Sequence, residues 1–304
     1  MAVLRGPSAH VLASASPDRA RELVALDHVV RAPLPLSTRV GVVGVSAGVG
    51  CSVVAGLVAS ALAARRPHRV LAVNASAGGR SLLWHAGTTA VTPALPADDE
   101  ARRGARTGAE AVEGLARTEG GLHCLDLAVD GAAVPDARWW EALGPAGRFF
   151  DVIVTDWGAR SADRSGPVAA SSSVVCVVAE AERSSWQHGV DLAGRFAADG
   201  VPAVLAVSAV RGRPAAWCAQ AARLSHVPVV LVPHDRAHGA QAPVPAARLR
   251  AGTGVAVLRL AAALVATAGS GVGSTGPDVG ATAVPAAAGE RSLSGRAGRQ
   301  AVAS

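Results

Sequence analysis

Seven short apolar runs, most of them rich in Val, punctuate the chain: Arg39–Val45, Arg69–Val73, Leu122–Leu127, Asp151–Thr155, Ser173–Val178, Ala203–Ser208 and Pro228–Val232. Between most of them, and after the last, lie longer Ala/Leu/Arg stretches with helical spacing: Ser52–Arg66, Ala137–Leu143, Ser184–Ala198, Pro214–Leu224 and Pro245–Ala266. The runs are continuous rather than alternating, so each strand is expected to be buried on both faces. Strands of that kind alternating with helices predict a doubly wound α/β domain with a mainly parallel sheet of about seven strands.

The pattern weakens at both ends. Residues 1–38 read as an N-terminal extension, with a short helix after Pro17 and a connector stiffened by Pro33 and Pro35. Residues 269–304 are Gly, Ala, Ser and Thr with scattered Arg and no hydrophobic period, the composition of a disordered tail. The α/β domain is expected over 39–268. Residues 97–120 are polar and Gly-punctuated, a mobile loop or an exposed helix. Val40–Ala64 holds 25 residues without a charge, long enough to cross a bilayer. Its order (β-branched run, glycines, Ala-rich run) instead predicts a buried strand, a turn and a buried helix, so no transmembrane span is expected.

Composition changes the picture in two ways. Half the chain is apolar but only 3% is aromatic, so the core is built mainly from Ala, Val and Leu. All 29 basic residues are Arg, with no Lys in 304 residues, a bias expected of a GC-rich genome. The net charge of +6 is spread thinly, and no Arg-dense stripe points to direct nucleic-acid contact. Cys51, Cys124, Cys176 and Cys218 lack disulfide or zinc spacing and read as buried thiols of a cytoplasmic protein.

In a parallel sheet, ligands bind beyond the carboxyl ends of the strands. The first such loop, Ser46-Ala47-Gly48-Val49-Gly50-Cys51-Ser52, joins a strand to a helix. Turn amides and a helix dipole there form a cradle for phosphate. A triphosphate cradle also uses Lys, then Ser or Thr, after its last glycine. Here the pair is Cys51-Ser52: the hydroxyl is present and the ammonium is not.

Val42 to Ala77 resembles the opening of the MinD/ParA-type P-loop ATPases. Set against that family's loop, its signature lysine falls on Ser46 and its phosphate lysine on Cys51. "HRVLAVNASAGGRSL" (His68–Leu82) is similar to the family's next strand, whose acidic pair falls on Asn74 and Ser76. "FFDVIVTDWGAR" (Phe149–Arg160) resembles the Walker B strand, with its carboxylate kept at Asp156. "VPAVLAVSAVRGR" and "VPVVLVPHDR" resemble the strands leading to the base-side loops, the first ending near Ser208. The likeness spans about Arg39 to Ala266. "RAPLPLSTRVGVVG" and "RRPHRVLAVNA" are similar to MinD-like accessory proteins of type VII secretion loci.

The resemblance implies ATP and Mg²⁺ as cofactors, a nucleotide-gated dimer and protein partners in secretion, division or partition. It places weak nucleotide contacts on Gly48, Val49, Gly50, Cys51, Ser52 and Asp156, with Ser52 and Asp156 as metal-side groups. The lost lysines and acidic pair imply a non-hydrolysing regulatory or scaffold protein. It would be cytoplasmic, brought to a membrane by a partner, and any homodimer would be independent of nucleotide. Two other readings stay open: an active ATPase using an Arg from 97–120 or from a partner, and glycines that serve only the turn. A GxSxG elbow at Gly44–Gly48 adds a serine-hydrolase reading, with Ser46 as nucleophile, His226 or His234 as base and Asp235 or Asp163 as orienter. The His234–His238 cluster and the strand-following Trp157 and Trp186 are further candidates for metal or partner contacts.

Overall fold

In the computed structural model, the described residues are 16–34, 37–88, 91, 94–128, 132–160, 164–239 and 248–271. They form strands β1 (Thr38–Gly44), β2 (Val70–Asn74), β3 (Ala116–Arg117), β4 (His123–Asp126), β5 (Val152–Ala159), β6 (Val174–Glu180), β7 (Ala203–Ser208) and β8 (Val229–Val232). The helices are α1 (Pro17–Arg31), α2 (Cys51–Ala63), α3 (Leu82–His85), α4 (Pro96–Arg103), α5 (Asp136–Leu143), α6 (Ser165–Ala170), α7 (Arg183–Ala198), α8 (Ala216–Leu224) and α9 (Ala251–Gly271).

The strands make one sheet in the order β3-β4-β2-β5-β1-β6-β7-β8. Seven are parallel, and the two-residue β3 is antiparallel to β4. The segment 97–120, read from sequence as loop or exposed helix, thus supplies the end of α4, a 3₁₀ turn at Glu110–Val112 and this added edge.

Alternate strand residues feed two cores. Val40, Val42, Val70, Val154, Cys176 and Val204 face α1, α2 and α9. Val43, Leu71, Ile153, Val175 and Leu205 face α5, α6, α7 and α8. This two-sided covering explains the unbroken apolar runs. The uncharged Val40–Ala64 stretch divides into β1, a glycine turn and α2, as its order predicts. α9 is long and apolar enough to cross a membrane, and most of it is buried in the fold. The expected tail, 269–304, lies almost wholly outside the described residues.

β1 lies in mid-sheet between β5 and β6, and this order positions the site. Val42 pairs with Asp156, and Asn74 pairs with both Asp156 and Asp126. Four strand ends that are far apart in sequence therefore open on one edge.

Candidate functional site at the carboxyl edge of the sheet

The loop after β1 is shaped by its glycines. Gly48 (φ 84°) and Gly50 (φ 90°) take left-handed conformations that side chains disfavour. Between them Val49 turns inward and is buried, while Ser46, Ala47 and Gly48 are exposed. Gly50 caps α2, and a Cβ there would lie 3.1 Å from Ser208 Oγ at the end of β7. Ser52 sits in the first turn of α2, partly exposed.

Cys51, the first residue of α2, points into the protein rather than over the loop. Its thiol donates to Asp156 Oδ1 at 3.4 Å, and the Gly158 amide reaches the same oxygen at 2.9 Å. Ser76 Oγ donates to Asp156 Oδ2 at 3.1 Å. Asp156 is completely buried, and neutral donors hold both of its oxygens. Asn74 extends the network: its Oδ1 accepts from the Ser76 amide, and its Nδ2 donates to Asp126 Oδ1 at 2.8 Å. Gly158 (φ 68°) lets the strand turn here, because a Cβ would fall 2.9 Å from Ser76 Cβ.

Burial, then the neighbouring Asp156 carboxylate, pushes the Cys51 thiol well above its ordinary pKa. It is thus a neutral donor, not the thiolate that a helix start can favour. Burial also raises Asp126, against the opposing bonds from Asn74 and the Ala128 amide.

The six residues singled out from the loop and the Walker-B-like strand come together at this edge. The sequence reading missed two neighbours. Asp126 ends β4, and only the β2–β4 pairing brings it to Asn74. Arg160 bonds the Gly44 carbonyl through its own amide, and its guanidinium reaches the carbonyls of Ala75 and Val134. Burial lowers the Arg160 pKa, and Arg164 adds to the effect. Within 97–120, Arg102 is tied to Asp99, which also holds Arg138.

Two candidates of the hydrolase reading, His226 and Asp235, are placed away from that role. Ser46 lies beyond the carboxyl end of β1, whereas His226 precedes β8 at the opposite edge of the sheet. Asp235 is committed to the Arg250 and Ala237 amides and to Thr253 Oγ1, capping α9. Asp163 lies outside the described residues. Trp157 and Trp186 belong to the core, so neither offers a partner surface. No cluster of three or more metal-ligating side chains occurs among the described residues.

No protein-family model and no curated protein matches the sequence. Solved structures do match its shape. The cell division ATPase MinD of Pyrococcus furiosus aligns with TM-score 0.54 and 18% identity, over 75% of this chain and 98% of that one. A ParA family ATPase from Chlorobium tepidum aligns with TM-score 0.51 and 18% identity, over 77% and 96%. The fold is that of the MinD/ParA ATPases. The MinC:MinD cell division complex of Aquifex aeolicus matches similarly, with TM-score 0.51 and 16% identity, over 79% and 97%. This MinD/ParA-like fold puts the Gly48–Ser52 turn at the mouth of the central strand, where such a sheet gathers its ligand loops.

Proposed function

We propose that this MinD/ParA-fold protein does not hydrolyse ATP and works as a nucleotide-independent regulatory or scaffold protein. The observation that carries the reading is the Cys51 thiol on Asp156. The position that the resemblance assigns to a phosphate-gripping lysine holds a buried neutral donor instead, and that donor faces the carboxylate.

The residues present do not fit a magnesium triphosphate. Both oxygens of Asp156 already accept hydrogen bonds from Cys51, Ser76 and Gly158, so a metal would have to displace satisfied buried partners. The chain has no Lys to offer elsewhere. An Arg is not equivalent, since its rigid planar fork does not act as the compact point charge of an ammonium. Each missing charge-assisted bond would cost about 1.5–3 kcal/mol of ligand affinity. What the loop retains is the amide cradle of Gly48, Val49 and Gly50, with Ser52 beside it.

A protein partner is the ligand class this reading favours, since one structural neighbour was solved as MinD in complex with MinC. The process would be of the division, partition or secretion type, in the cytoplasm or at a membrane reached through that partner. Any dimer would form without nucleotide.

The test is a thermal-shift and phosphate-release assay on the full chain with ATP and Mg²⁺. The expected result is no shift in Tm and no phosphate above background. Turnover that disappears in Asp156→Ala would overturn the proposal and establish a working ATPase.

A further inference from the structure

The loops that leave β6 and β7 hold a group of arginines around one tryptophan. The two strands end in register, Glu180 opposite Ser208, and the Ala181 amide donates to the Ser208 carbonyl at 2.9 Å. The segments that follow are therefore neighbours: Arg183, which opens α7, and Arg211-Gly212-Arg213 ahead of α8. They also touch. The Arg183 guanidinium carbon lies 5.2 Å from the ring centroid of Trp217, the second residue of α8. Trp217 is half-buried and meets Trp186 edge to face at 5.6 Å, and Trp186 belongs to the core. A stack thus runs from a surface cation through an indole into the protein.

Three features set this group apart from ordinary surface charge. Arg183, Arg211 and Arg213 are all exposed and have no ion pair among the described residues, whereas Arg21, Arg31 and Arg259 on α1 and α9 are each paired. Arg183 stands in the first turn of α7, where no acidic residue accompanies it and the helix dipole disfavours a cation. Stacking on Trp217 fixes its planar group and leaves the N–H edge available to an acceptor. Gly212 turns the loop with a φ of 71°, and a Cβ there would meet no atom within 4 Å, so the turn between Arg211 and Arg213 stands clear of the body.

We propose that Arg183, Arg211, Arg213 and Trp217 form a docking surface for an acidic segment of a partner protein. Charge complementarity selects that occupant: guanidiniums without an internal partner take carboxylates in paired charge-assisted bonds. Trp and Arg are also the residue types that most often anchor protein interfaces, and the accessible part of Trp217 receives an apolar side chain of the segment. Glu180 and Glu182 flank the patch, which disfavours a continuous polyanion such as nucleic acid and suits a protein of mixed charge. The surface rests on the reading above for its partner being a protein, and it adds the chemistry by which that partner is recognised.

Fluorescence anisotropy of the full chain with a labelled random copolymer of glutamate and tyrosine, in low-salt buffer without nucleotide, tests the surface. Saturable binding is expected, weakening as sodium chloride is added. Arg183→Gln combined with Arg213→Gln should weaken it roughly tenfold or more. Arg103→Gln combined with Arg106→Gln removes the same charge from exposed positions elsewhere and should bind as the wild type does. Polyglutamate without tyrosine should bind more weakly, because Trp217 then lacks its apolar contact. The proposal is overturned if the copolymer does not bind, if the two double variants lose affinity equally, if polyglutamate binds as tightly as the copolymer, or if duplex DNA binds more tightly than either. ATP turnover in the preceding assay would remove the nucleotide-independent reading and leave this binding result standing, so the two failures are told apart.

Discussion

Cys51 shows how one side chain sets the chemistry of an edge. Buried against Asp156, its thiol is held in the protonated form. Cys124 and Cys218 are raised by burial as well, and Cys176 is pushed up to about 12. The native protein is therefore expected to release no thionitrobenzoate from a disulfide reagent at pH 8, and all four equivalents after denaturation. Rapid labelling of one cysteine in the native state would contradict this account of Cys51. Gly158→Ala should destabilise by about 1–3 kcal/mol in urea unfolding, through the φ of 68° and the close Ser76 Cβ. At this scale the sequence was only half legible. The glycines and Ser52 could be named because turn chemistry is local, and Asp156 because its strand resembles a Walker B strand. The bond from Ser76 to Asp156 spans 80 positions, and nothing near either residue announces it.

Helix α1 shows the same division for an element. Its Pro17 start after Ser16 is a local signal, with the Ser16 hydroxyl accepting from the Arg19 amide. Its seat is not local. Leu23 and Val30 join the core cluster of α2 and α9, Glu22 pairs with Arg259 on α9, and Arg66 grips the far end. The Arg66 guanidinium donates to the carbonyls of Val30 and Ala32 while pairing with Asp151. Arg66→Met leaves that carboxylate and those carbonyls without their donor. The expected loss is about 3–5 kcal/mol by urea denaturation, the usual scale for breaking a buried pair from one side. Asp235→Ala should cost about 1 kcal/mol by removing the carboxylate that caps α9. Residual helix content by circular dichroism would locate that loss.

For the whole molecule, half-buried and buried histidines set the response to acid. Burial, then His238 and Arg80, lower the His85 pKa to about 4. The His85 and His238 rings meet edge to face at 6.1 Å, and His123 is lowered by burial too. Unfolded chains take up protons near pH 6.5, while the native imidazoles resist until lower pH. Stability is therefore complete above about pH 6.5 and falls as pH drops toward 4. Urea midpoints at pH 7 and pH 5 check this, and an equal or higher midpoint at pH 5 would refute it.

The sequence by itself determined the alternation of strands and helices, the parallel two-faced sheet, the glycine turn and the lack of any ammonium side chain. Each of these follows from short-range periodicity or from composition. Tertiary structure alone decided the order of the strands, the antiparallel edge at β3, the seat of α1 and the closing of Asp156 by Cys51 and Ser76. Those depend on which apolar faces bury together, and packing energy is a property of residues brought near by the fold rather than neighbours along the chain.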